Sequence, residues 1–170
     1  MNLRPIIITG FMGSGKTTVA RALARMLDRR AIDLDQLIAE RERRSVKEII
    51  EQDGEPAFRK IETRLLREVL EQDGAQVIAL GGGAWTVSKN RDLVAEHQGF
   101  SAWLDAPFEL CWQRIAASGS ERPLARDTEQ ARMLHAQRRN LYELAAFRLL
   151  VDAGRGVDEL ASAIAKALPS

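Results

Sequence analysis

A chain of 170 residues, 45% hydrophobic and 29% charged, has the length and make-up of one soluble globular domain, here taken as residues 1–170. Its 25 basic residues nearly cancel its 24 acidic ones, and a net charge of +1 excludes charge-driven binding to a nucleic-acid backbone or an anionic membrane. One cysteine excludes a disulfide framework, and two distant histidines, His97 and His135, predict no zinc site.

Taken in chain order, the apolar run Ile6 to Thr9 reads as a buried strand, too short for a signal peptide, and is followed at once by a glycine-rich turn. Thr17 to Leu27 carries Val19, Ala22, Leu23 and Met26 at helical spacing. A short strand is expected over Ala31 to Leu34, then a helix through Leu37 and Ile38. Arg41, Arg43 and Arg44 alternate with Glu40 and Glu42 and read as a solvated helix face. Gly54-Glu55 opens another helix. Val77 to Leu80 is a strand ending in Gly81-Gly82-Gly83, and Phe100 to Leu104 and Phe147 to Val151 are two more. Cys111, among Phe108, Leu110, Trp112 and Ile115, reads as a small buried hydrophobe. Val157, Leu160, Ala161, Ile164, Ala165 and Leu168 trace the apolar face of a last helix. Strands separated by helices predict an α/β fold, a parallel sheet covered on both faces, with ligands at the carboxyl ends of the strands. No stretch approaches a membrane span, and a cytoplasmic protein is expected.

The strongest motif is Gly10-Phe11-Met12-Gly13-Ser14-Gly15-Lys16-Thr17, which matches the phosphate-binding pattern G-x-x-x-x-G-K-[ST] in full. Its context fits, since it follows a strand and opens a helix. Glycines let successive backbone N–H groups converge on phosphate oxygens, and the helix adds its positive N-terminal end. Lys16 is expected at the β- and γ-phosphates of ATP and the Thr17 hydroxyl at Mg²⁺. No Asn-Lys-x-Asp segment for reading guanine is present.

The remaining candidates fall at the other strand ends. Asp33-Leu34-Asp35 places two carboxylates two residues apart, on one face if the backbone is extended, one near the metal and one able to take a proton from an attacking hydroxyl; the plainer alternative is an aspartate capping the next helix. Arg59 either pairs with Glu55 and Glu62 on its own helix or makes a bidentate contact to a substrate carboxylate. The three glycines at 81–83 allow close approach of backbone to a ligand. The polar stretch 116–127 suits a lid, with Arg122 positioned to neutralise charge on the transferred phosphoryl group. Arg138 lies four residues before Tyr142 on the helix that follows.

Together these segments resemble the shikimate kinases, in order and over nearly the whole chain: the phosphate loop, Asp33-x-Asp35, Gly54-Glu55-x-x-Phe58-Arg59-x-x-Glu62, the triple glycine, Arg122-Pro123-Leu124 and Arg138-x-x-x-Tyr142. The resemblance implies a P-loop fold with a five-stranded parallel sheet in the order 2-3-1-4-5, a substrate-binding segment over about residues 33–61, and a monomer. It implies ATP and shikimate as substrates and Mg²⁺ as the metal. It implies roles residue by residue: Gly13, Ser14, Gly15, Lys16, Thr17 and Thr18 at the nucleotide; Arg114 and Arg155 near the adenine; Thr17 and Asp33 at the metal. Asp35 would be the general base, Arg59 and Arg138 would grip the acceptor carboxylate beside Gly81, Gly82 and Gly83, and Arg122 would reach the phosphates from the lid. The chain departs from the family at Asn140, where proline is usual, and the tandem Arg138-Arg139 leaves either side chain able to face the acceptor. Trp85 is bulkier than expected beside the glycines. The rivals are a gluconate-type kinase with the same loop and a nucleotide-binding regulatory module without turnover.

Overall fold

The computed structural model describes residues 4–72, 76–119 and 127–170. Five strands form one sheet: β1 (Ile6–Gly10), β2 (Arg30–Asp33), β3 (Gln76–Ala79), β4 (Phe100–Asp105) and β5 (Phe147–Leu150). All pairings are parallel and the order is β2-β3-β1-β4-β5. The helices are α1 (Lys16–Met26), α2 (Leu34–Glu42), α3 (Val46–Asp53), α4 (Glu55–Leu70), α5 (Ser88–Glu96), α6 (Phe108–Ser118), α7 (Thr128–Tyr142) and α8 (Val157–Ala167).

β1 is the central strand, and its sequence says why. Ile6, Ile7 and Ile8 are all at most 1% exposed, because a strand covered on both faces needs no polar alternation. The step from β1 to β2 crosses the sheet in one direction and every later step crosses in the other. Right-handed crossovers then put α1 on one face and the intervening helices on the opposite one. α8 joins α1 on its face, burying Leu160, Ala161 and Ile164. Reversal of direction on either side of β1 opens a crevice at the carboxyl ends of β1, β3 and β4.

The strands begin and end within two residues of the sequence expectation. Two local readings change. Residue 35 does not continue an extended segment: β2 stops at Asp33, whose carboxylate caps α2 by accepting from the Gln36 N–H at 3.0 Å, so Asp35 lies in the first turn of α2. Arg43 and Arg44 do not share a helix face with Arg41, because α2 ends at Glu42. Arg43 takes a left-handed conformation (φ +53°), and Arg44 turns to Asp53 at 2.7 Å and Gln52 at 3.1 Å on α3. Ser45 and Glu48 then start α3 with a reciprocal capping box.

Candidate active site

The segment between β1 and α1 folds back over the helix start. Gly13 (φ +77°) and Gly15 (φ +95°) take conformations that side chains resist, and a Cβ on Gly13 would stand 2.7 Å from the Cys111 carbonyl of α6. α1 begins with no side-chain cap and no acidic residue in its first turn, so its leading N–H groups remain available to an anion. Lys16 is buried and curls over the loop, donating from Nζ to the carbonyls of Gly10 (2.9 Å) and Phe11 (2.8 Å). Ser14 Oγ is buried within the loop without a hydrogen-bond partner among the described residues. A cleft of about 490 Å³ opens in front, lined by Gly13, Gly15, Lys16, Thr17 and Thr18 and, across it, by Asp33, Asp35, Gly81 and Gly82.

The two aspartates divide their work. Asp33 uses Oδ1 for the cap on α2 and accepts from the Thr17 hydroxyl through Oδ2 at 2.5 Å, so making the cap leaves its second oxygen at the start of α1. Thr17 and Asp33 thereby present two oxygen donors at the start of α1, the type a hard divalent cation prefers. Asp35 faces β3: a methyl group on Gly81 would lie 2.6 Å from its Oδ1. Any residue but glycine there would displace the carboxylate.

Beside this cleft, sharing Met12, Asp35, Val46, Gly81 and Gly82 with it, is a smaller pocket also lined by Ile50, Phe58, Arg59, Glu62, Gly83 and Arg138. Arg59 keeps both helix partners foreseen for it, Glu62 at 2.8 Å and Glu55 at 3.3 Å, and still reaches the pocket, because its guanidinium spans from those carboxylates to Gly83. Glu62 is completely buried, and its Oε2 has no hydrogen-bond partner among the described residues. Burial pushes its carboxyl up to about 7, against the pull of Arg59; for Arg59 burial is again the largest single effect and lowers it, but the two carboxylates together outweigh it and raise the guanidinium. Arg138 is also buried, with its guanidinium beside Gly82 and Gly83. Tyr142, one turn later on the same face of α7, donates its hydroxyl to the Gly82 carbonyl, and burial raises that phenol to about 12.

The tandem arginines are therefore resolved. Arg138 faces the pocket, whereas Arg139 turns to Asp105 at the end of β4, with contacts of 2.7 and 3.1 Å. Arg114 lies against the phosphate loop, donating to the Gly13 carbonyl at 3.2 Å. Arg155 is not brought to either cavity; it bonds Glu159 on α8 at 3.1 Å and the Leu150 carbonyl at 2.9 Å. Its neighbours at i+4 and at the end of β5 satisfy it locally. Arg122 and most of the 116–127 stretch lie outside the described residues. Trp85 is buried in the turn after Gly83 and lines neither cavity, so its bulk is absorbed in the core.

Several contributors were not singled out from the sequence: Glu62 as a pocket wall, the Tyr142 hydroxyl, and the apolar wall of Met12, Val46 and Ile50. Glu62 carried a signal, since a glutamate three residues after Arg59 on a helix must meet it. The apolar wall carried none, because helix periodicity marks core and pocket residues alike.

The arrangement is a triphosphate cradle joined through one carboxylate to a small pocket holding two guanidinium groups. Known proteins resemble the chain that carries it. A shikimate kinase family model matches residues 12–169. The shikimate kinase of Geobacter sulfurreducens is 39% identical over 165 residues, covering 95% of this chain and 89% of its own. That of Nostoc sp. is 35% identical over 168 residues, covering 97% and 91%. The solved structure of shikimate kinase from Acinetobacter baumannii in complex with shikimate superposes with a TM-score of 0.87 at 35% identity, covering 97% of this chain and 92% of that one. A gluconokinase from Sinorhizobium meliloti, at 18% identity and a TM-score of 0.62, has the same fold only. With the match running from the phosphate loop to the last helix, the chain belongs to the shikimate kinase family.

Proposed function

We propose that this protein transfers the γ-phosphoryl group of ATP to the 3-hydroxyl of shikimate, releasing ADP and shikimate 3-phosphate, as a single cytoplasmic kinase domain acting as a monomer. The observation that carries the reading is the shared wall: Asp35 borders both the phosphate cleft and the pocket where Arg59 and Arg138 converge on Gly83.

The loop N–H groups and the start of α1 receive the phosphates, and Lys16 turns from its two carbonyls to the β- and γ-phosphates. Thr17 and Asp33 hold the divalent metal, Mg²⁺ in this reading, which when bound offsets phosphate charge. Arg59 and Arg138 take the acceptor carboxylate, each supplying paired N–H donors that a lysine could not match. Asp35 orients the acceptor hydroxyl and accepts its proton as the oxygen attacks phosphorus in line. Arg122 then meets the phosphates from the segment before α7, and Arg114, which lies against the phosphate loop, is turned toward the base. Most of the rate comes from positioning and charge, because the transition state is loose.

The test is ADP release from purified protein with MgATP and, in turn, shikimate, gluconate, nucleoside monophosphates or no acceptor. Turnover with shikimate alone is expected. Stimulation by gluconate instead would reassign Arg59 and Arg138, and ATP binding without turnover on any acceptor would make the chain a nucleotide-binding module.

A further inference from the structure

Strand β4 ends in a carboxylate that the transfer chemistry does not use. The Asp105 side chain is 5% exposed, yet it carries two cations. Arg139 of α7 grips both oxygens, Nη1 on Oδ1 at 2.7 Å and Nη2 on Oδ2 at 3.1 Å. Arg148 of β5 adds Nε at 2.8 Å and Nη2 at 2.6 Å, both on Oδ2. The two guanidinium groups lie 5.2 and 5.1 Å from the centre of the Trp103 ring, which in turn lies 6.0 Å from the Tyr142 ring. A buried carboxylate needs such partners, but one arginine would suffice for that.

Of the two partners, Arg139 has a further task. Successive side chains on a helix diverge by about 100°, so whatever fixes Arg139 also fixes the direction of Arg138. Arg138 has reason to leave its place. Its guanidinium and that of Arg59 both crowd the face of Gly83, where a methyl group would collide with each. Two like charges converge there, and the Glu62 carboxylate is within electrostatic reach of both. On the pocket side α7 is tied by the Tyr142 hydroxyl to Gly82. On the far side the bidentate Asp105–Arg139 pair holds it. Arg148 needs no such tie, because β5 is already bonded to β4 along its length.

We infer that Asp105 is a positioning residue for the acceptor, acting through Arg139 to keep α7 turned so that Arg138 faces the pocket. This rests on the reading of that pocket as the carboxylate site. Arg139→Met and Arg148→Met each remove one cation from Asp105, and only the first releases α7. Initial rates would be measured for wild type and both variants against shikimate and against ATP, with thermal melts alongside, and with Asp105→Asn as a third variant if it folds. Arg139→Met should raise the KM for shikimate about tenfold, with kcat and the KM for ATP within about twofold. Arg148→Met should lower the melting temperature and leave the shikimate KM in place. Equal shikimate KM values in the two variants, or a fall in kcat without a change in KM, would overturn the inference while the acceptor reading stood. A wild-type protein inert toward shikimate would remove both.

Discussion

Glu62 shows how much one buried side chain can set. It is fully enclosed, paired to Arg59, and raised from an ordinary value near 4.5 to about 7 by burial. A carboxyl whose proton is held more tightly in the folded than in the unfolded chain contributes stability that is complete below about 4.5 and is lost as pH rises through about 7. Glu62→Gln carries no such titration. Between pH 4.5 and 8 the wild type should therefore lose stability relative to Glu62→Gln, by about 3 kcal/mol in all. Chemical denaturation at pH 5 and pH 8 measures it; a gap that does not move with pH would mean Glu62 stays ionised throughout. Arg59, its partner, offers a second test. Arg59→Lys keeps the charge and loses the planar pair of donors, so the shikimate KM should rise about 10- to 100-fold with ATP affinity unchanged. Equal loss of both ligands would mark Arg59 as a structural residue.

The loop between β1 and α1 is where an element, rather than a side chain, makes the site. Gly13 combines a left-handed backbone with a Cβ position 2.7 Å from the Cys111 carbonyl, and that atom is backbone of α6 and cannot yield cheaply. Gly13→Ala should lower the melting temperature by about 5 °C or more and abolish tight ATP binding, read by calorimetry on the same sample. A variant with native melting but no ATP binding would place the strain in the bound state alone. The elements were legible because β-branched runs, glycine punctuation and the 3.6-residue period all pointed to one sheet, and the phosphate loop because its function needs a fixed string of residues. What the sequence did not disclose came from geometry across elements. Asp35 would have shared a face with Asp33 had the backbone stayed extended, but β2 ends at Asp33, which caps α2, and Asp35 lies in that helix's first turn. Arg155 was expected at the nucleotide and instead bonds Glu159, a local partner that spacing alone permitted. The choice between Arg138 and Arg139 turned on Asp105, 34 residues before Arg139, which no local pattern connects to it.

Across the whole molecule, the sheet order puts the working ends of β1, β3 and β4 on one rim, and Cys111 lies directly beneath it in α6. Burial pushes its thiol up to about 11. It should resist a thiol-specific reagent at pH 8 until the chain opens globally. Saturating MgATP at 100 times its Kd should slow labelling by about 100-fold, following the stabilisation that a ligand of the native state confers. Labelling indifferent to ATP would show that α6 opens locally, without the phosphate loop.

The common wall of the two cavities has a chemical corollary. Met12, Asp35, Val46, Gly81 and Gly82 border both, so the phosphate cradle and the paired guanidinium groups stand on either side of a wall one residue thick. A bisubstrate molecule, with a carboxylated ring at one end and adenosine phosphates at the other, would engage Arg59 and Lys16 together. Its second half would bind from an effective concentration set by the tether and not by the solution. Such a ligand should hold this protein far more tightly than either half, while a tether too short to pass Asp35 would gain nothing.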